Sequence, residues 1–217
     1  MGDLGQRRLY LCTSDRPDLE EFVAATIRGG VDVVQLREKH LEARALLARA
    51  ELVRRVCVDS GVPFILNDRP DLALEAQADG VHVGQDDAPP ALARRILGPD
   101  AIIGLSTHSP IDLKGSLDEP VDYVSAGPIV PTPTKPGRAG VGLGYLRHAV
   151  SHAGRPVWVT GGASPATVSG LVAAGCRHVV VVRWLTEAGD PYDAARMLRA
   201  ALDVAIDEAE DADPSPG

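Results

Sequence analysis

Short runs of apolar and β-branched residues recur along this chain, each followed by a longer stretch with helical spacing, and this alternation constrains the fold more than any other feature. The candidate strands are Leu9–Cys12, Val31–Leu36, Phe64–Asn67, Gly80–Val83, Ile102–Ser106, Tyr123–Ala126, Val157–Thr160 and Val179–Val182. They are largely continuous in hydrophobicity rather than alternating, as expected of parallel strands covered on both faces. The stretch Glu42–Ser60 is the clearest helix, with Gly61 placed to end it. Further helices are expected near Pro17–Arg28, Asp71–Ala76, Pro90–Leu97, Gly144–Ala153, Pro165–Ala174 and Pro191–Asp207, with a weaker one at Pro110–Leu117. Eight β units, each followed by a helix and with no internal linker, read as a single (β/α)8 TIM barrel over residues 1–207. The remaining residues, 208–217, are acidic and apolar-poor and read as a disordered tail. A doubly wound open sheet is the alternative, but the chain has no GxGxxG turn.

Composition narrows the partners. The 45% hydrophobic share is ample for one core, while the net charge of −8 and the lack of a basic run argue against nucleic acid and anionic membranes. The expected ligands are small molecules. Cys12, Cys57 and Cys176 are odd in number and lack metal-ligand spacing, so they read as buried thiols in a reducing cytoplasm. The N-terminus shows no signal-like apolar core, and no apolar run reaches membrane-spanning length. A homo-oligomer is compatible with the sequence but is not indicated by it.

Barrels of this kind place their chemistry where strands end and βα loops begin. The unusual polar residues fall there. Strand two ends in Gln35, Arg37, Glu38 and Lys39; strand three in Asn67, Asp68 and Arg69; strand four leads to Gln85, Asp86 and Asp87. Strand five ends at Ser106 with Thr107 and His108 beyond it, strand seven at Gly161 and Gly162, and strand eight at Arg183. After strand six comes PIVPTPTKPGRAGVG, Pro128–Gly142, which holds Thr132, Thr134 and Lys135 between prolines. Proline fixes its own φ and restricts the preceding residue, so this loop is stiff and its polar groups suit an oxyanion.

Asp68 and Asp87 lie on adjacent strand ends, and two hard oxygen donors completed by water and phosphate oxygens are the usual setting for Mg²⁺. Arg37 offers a planar fork to phosphate and Lys39 a mobile charge. Backbone N–H groups near Gly161–Gly162, with Arg183 close by, form a second, metal-free anion subsite. Two anion subsites on one mouth point to a transferase that joins two phosphorylated small molecules and releases diphosphate. Of the histidines, His108 is a candidate proton shuttle; His40 reads as peripheral, and His82, His148, His152 and His178 as structural or exposed.

At these positions the chain resembles thiamine-phosphate synthase. The resemblance runs from QLREK (Gln35–Lys39) through NDRPDLALEAQADGVHVGQDD (Asn67–Asp87), GLSTHS (Gly104–Ser109), DYVSAGPIVPTPTK (Asp122–Lys135) and TGGA (Thr160–Ala163) to the VVVVR strand end. It implies condensation of 4-amino-5-hydroxymethyl-2-methylpyrimidine diphosphate with hydroxyethylthiazole phosphate to give thiamine phosphate and diphosphate, with Mg²⁺ as cofactor. By the resemblance, Gln35, Leu36, Arg37, Glu38, Lys39 and Asn67 contact the pyrimidine diphosphate, and Asp68 and Asp87 hold the metal. Ser106 bonds the pyrimidine; Thr132, Pro133 and Thr134 lie between the substrates, with Lys135 on the diphosphate. Gly162, Val182 and Arg183 take the thiazole phosphate through backbone N–H groups. Arg37, Ser106 and Lys135 are the residues expected to act in catalysis. The chain departs from the family pattern at Arg183, where many members have serine, and at Ala163, where many have isoleucine.

The nearest alternative is a thiazole tautomerase of the same barrel, which needs a proton shuttle and no metal. A Schiff-base aldolase using Lys135 is more distant, because that lysine lies well past its strand in a proline-locked loop. A third reading is a non-catalytic sensor of phosphorylated metabolites.

Overall fold

The computed structural model describes residues 4–131 and 139–212. Eight parallel strands close into a barrel in chain order: β1 (Leu9–Thr13), β2 (Val33–Leu36), β3 (Phe64–Asn67), β4 (Gly80–Val83), β5 (Ile102–Thr107), β6 (Tyr123–Ala126), β7 (Val157–Thr160) and β8 (His178–Val181). β8 pairs back onto β1, with Tyr10 opposite Val180, so no strand edge is left open. The expected (β/α)8 barrel is the observed fold.

The helices are α1 (Leu19–Arg28), α2 (Ala43–Ser60), α3 (Pro70–Glu75), α4 (Pro90–Leu97), α5 (Pro110–Ser116), α6 (Gly142–His152), α7 (Val168–Val172), α8 (Arg183–Thr186) and α9 (Pro191–Ala212). Gly61 ends α2 at φ 65°, a left-handed turn that favours glycine, and its N–H reaches back to the carbonyl of Val58. Ser109 caps α5 by accepting the N–H of Asp112.

Several elements differ from expectation. β2 begins at Val33, because the Asp32 carboxylate accepts the N–H groups of Arg8 and Leu9 and ties the loop to the foot of β1. α7 is shorter than expected, because Thr167 holds a turn ahead of it, donating to the Gly162 carbonyl at 2.6 Å and accepting the Ser164 N–H. β8 stops at Val181, and α8, which the sequence did not suggest, starts directly after it. α9 continues to Ala212, so Glu208–Ala212 are its last turn rather than part of a disordered tail.

Inward and outward side chains alternate along each strand. The outward set packs under the helices in one continuous apolar layer. Inside the barrel, Tyr10, Val33, Ile65, Ile102, Tyr123 and Trp158 fill the half nearest the strand N-termini. Three of these are aromatic and meet edge to face, with Tyr10 and Trp158 centroids 5.2 Å apart. The plug closes one end, so space opens only at the strand C-termini. Trp158, fully buried at the centre of this plug, is the side chain whose truncation should cost most. Trp158→Ala is expected to destabilise the fold by about 3–5 kcal/mol, read by urea denaturation.

Candidate active site

A cavity of about 950 Å³ occupies the C-terminal mouth of the barrel, and every strand or its following loop contributes to its wall. Of the residues picked from sequence, Gln35, Arg37, Lys39, Asn67, Asp68, Asp87, Ser106, Gly162, Val182 and Arg183 line it. Leu36 and Glu38 do not. Strand parity turns Leu36 outward into the helix-facing layer, where it is fully buried. Glu38 faces away and accepts the N–H groups of Asp15 and His40. A contiguous run such as Gln35–Lys39 cannot present every side chain to one cavity. Thr132, Pro133, Thr134 and Lys135 lie outside the described residues.

The acidic pair is built by a sharp turn at the end of β3. Asp68 has φ 63°, uncommon for a residue with a side chain, and its N–H donates to the His82 carbonyl on the neighbouring strand. Asp68 also accepts the Lys39 ammonium at 2.8 Å. The Asp87 carboxylate accepts the Gly84 N–H at 2.9 Å and lies within hydrogen-bonding reach of Asp68. Burial and then the neighbouring Asp87 push the Asp68 carboxyl above its ordinary range, against the pull of Lys39. Burial acts upward on Asp87 too, but hydrogen bonds from Asp68 and Gly84, with the Lys39 ammonium nearby, take it below. The two carboxylates are thus pushed apart in pKa, as expected where like charges meet.

A cation relieves the same repulsion. No group of three or more His, Cys, Asp or Glu side chains is poised around a metal position among the described residues. Two carboxylates with oxygens from water and substrate are nonetheless a donor set that fits Mg²⁺. Beside them, Asn67 is almost fully buried, and its amide nitrogen has no hydrogen-bond partner among the described residues. An unpaired buried donor in a cavity wall suits a ligand oxygen.

On the other side of the mouth, Gly161 and Gly162 follow β7 with φ 83° and 91°. A Cβ at Gly161 would sit 2.7 Å from Pro128, so the turn needs glycine for space as well as for φ. Arg183 opens α8 at the same cavity and is exposed.

One group escaped the sequence reading. His82, expected to be merely structural or exposed, points into the barrel and bridges Tyr123 Oη (2.9 Å from Nδ1) and Ser106 Oγ (2.9 Å from Nε2). Gln85 donates its side-chain N–H to the Ser106 carbonyl at 2.6 Å. The signal was available: Gly80 and His82 are two apart on one strand, so they share a face. His108 also lines the cavity and donates from Nδ1 to the Gly127 carbonyl. His178 is bound to the Arg7 carbonyl, while His148 and His152 stack on each other along α6, away from the site.

Residues 9–185 match the family model described as thiamine monophosphate synthase. The chain belongs to the thiamine monophosphate synthase family. It is 46% identical to a thiamine-phosphate synthase of Saccharopolyspora erythraea over 210 residues, covering 92% of this chain and 94% of that one. It is 45% identical to the Acidothermus cellulolyticus thiamine-phosphate synthase over 204 residues, covering 92% and 96%. Among solved structures, thiamine phosphate pyrophosphorylase from Pyrococcus furiosus superposes with a TM-score of 0.84 at 28% identity, covering 92% of this chain and 96% of that one. A 3-hexulose-6-phosphate synthase superposes with a TM-score of 0.64 at 21% identity, which speaks to the barrel alone. With synthases as relatives, the tautomerase alternative is not favoured.

The raised Asp68 carboxyl sets the direction of a pH effect. A cation held by Asp68 would compete with its proton, so divalent-cation affinity should weaken as pH falls through its raised pKa. Calorimetric Mg²⁺ titrations at neutral and mildly acidic pH check this; an affinity indifferent to acidification would remove Asp68 from the ligand set.

Proposed function

We infer that this cavity condenses 4-amino-5-hydroxymethyl-2-methylpyrimidine diphosphate with hydroxyethylthiazole phosphate, yielding thiamine phosphate and diphosphate. Family membership supports the reaction. The observation that carries it to this cavity is the Asp68–Asp87 pair beside Lys39 and Arg37, sharing one mouth with the Gly161–Gly162 turn.

Asp68 and Asp87 would hold Mg²⁺, which when bound supplies positive charge against the diphosphate oxygens. Arg37 and Lys39 bring two further cations to that end, and the amide N–H of Asn67, unpartnered among the described residues, donates to the same group. Lys135 joins them by the family resemblance, with Thr132, Pro133 and Thr134 between the two substrates. Ser106 hydrogen-bonds the pyrimidine ring and fixes its plane. The thiazole phosphate sits at Gly162, Val182 and Arg183, where backbone N–H groups receive it.

The bond between the pyrimidine methylene carbon and the diphosphate oxygen breaks with its electron pair leaving on oxygen. The electron-rich aminopyrimidine tolerates the charge left on the methylene. The thiazole nitrogen lone pair then closes the new C–N bond. No side-chain nucleophile is needed, so positioning and electrostatics carry the rate. Cys12, Cys57 and Cys176 are buried thiols with no disulfide among the described residues, which accords with a reducing cytoplasm as the place of work.

Diphosphate release should require both substrates and Mg²⁺, should stop in EDTA, and should match thiamine phosphate formed. Asp87→Asn should lower turnover by about 100-fold or more while the protein stays folded. Folded wild-type protein that releases nothing under any of these conditions overturns the reading.

A further inference from the structure

We propose that Tyr10, Tyr123 and His82 form a directional hydrogen-bond relay that holds the Ser106 hydroxyl as a donor into the cavity, so that the pocket selects a heteroaromatic ring presenting an acceptor nitrogen there. The inference rests on the placement of Ser106 at the pyrimidine in the reading above.

The relay crosses the barrel. Tyr10 on β1 and Tyr123 on β6 have hydroxyls 3.0 Å apart, and Tyr123 in turn lies 2.9 Å from Nδ1 of His82 on β4. Nε2 of His82 is 2.9 Å from the Ser106 hydroxyl on β5. Ser125 donates to the same serine oxygen at 3.4 Å. Both tyrosines are buried, and burial raises the pKa of each, so both keep their protons.

Counting protons gives the direction. Among the described residues, the Tyr10 hydroxyl has one hydrogen-bond partner, the Tyr123 oxygen. The Tyr123 and Trp158 rings pack edge-on against it, and only 2% of the residue is exposed, at the floor of the cavity. Its proton must therefore go to Tyr123, since reversing the bond strands a buried donor. Tyr123 then gives its own proton to Nδ1 of His82, which leaves the imidazole proton on Nε2, facing Ser106. The Ser106 oxygen accepts from His82 and Ser125 and has no lone pair left for a third donor. Its own proton is turned to the cavity that it lines.

Gly104 is a second sign that the contact is built in. It lies on β5 between His82 and Tyr123 in register, and a Cβ there would overlap both the Tyr123 ring and Nδ1 of His82. Space is kept where the two rings stack, their centroids 5.5 Å apart. Gln85, donating to the Ser106 carbonyl, fixes the serine from its backbone side.

His82 and the tyrosines act through Ser106, as positioning residues, and the test must separate that role from simple stability. The probes are the pyrimidine diphosphate and its deaza analogue, in which C–H replaces the acceptor nitrogen. Their preference ratio is read as kcat/KM and, without turnover, as a ratio of Kd by calorimetry. Wild type should prefer the parent by about tenfold, the worth of one hydrogen bond. Tyr123→Phe frees Nδ1 to change partners and should shrink the ratio to about twofold, as should Ser106→Ala. The double variant should be no worse than Ser106→Ala. Tyr10→Phe, which removes the first donor, should give an intermediate ratio and serves if Tyr123→Phe does not fold.

A full preference retained in Tyr123→Phe or Tyr10→Phe, or losses that multiply in the double variant, would overturn the relay. A full preference in Ser106→Ala would remove Ser106 from the pyrimidine and the relay with it. Wild type that binds the pyrimidine with the expected ratio yet releases no diphosphate would uphold the relay while sinking the synthase reading.

Discussion

Closing eight parallel strands forces every second side chain toward a common axis, and the rest of this molecule depends on how that axis is filled. Trp158, Tyr10 and Tyr123 occupy its lower half edge to face. Large rings at that level close one end of the barrel and leave the other open as a cavity. The same plug carries two hydroxyls, which would be costly to bury unpaired. They are paired with each other and with His82, and this links the barrel floor to the site above it. Packing and polarity therefore meet in one set of side chains.

Electrostatics at the mouth run against those of the whole chain. The protein carries a net charge of −8, yet Arg37, Lys39 and Arg183 converge on its main cavity. Asp68 and Asp87 bring negative charge into the same space, and Lys39 answers part of it directly. A site that mixes cations with two crowded carboxylates is suited to an anion that arrives with a metal ion. Backbone conformation contributes as well: Asp68 adopts a left-handed φ uncommon for a residue with a side chain, and its N–H donates to the His82 carbonyl.

Much of this was legible in the chain. The β–α alternation, the strand C-terminal location of Arg37, Lys39, Asn67, Asp68, Asp87 and Ser106, and the glycine turn after β7 could all be read from local pattern, because strand direction and period are local properties. The misses were of another kind. Leu36 and Glu38 belong to the same contiguous motif yet do not line the cavity, because a run of neighbours hides which residues face inward. His82 was set aside because an isolated histidine shows no partner, and its partners lie 24 and 41 positions away on β5 and β6. The short helix after β8 escaped because four residues carry too little periodic signal.

Sequence by itself determined the architecture, the end of the barrel that does the work, and the family's acidic pair and basic groups, since these follow from residue type and spacing along one element. Tertiary structure alone decided which side chains of each run reach the cavity and that two tyrosines and a histidine stand behind Ser106. The reason is geometric. Closure of the sheet brings β1, β4, β5 and β6 around one axis, and a hydrogen bond across that axis is set by register between strands, which no single segment of the chain contains.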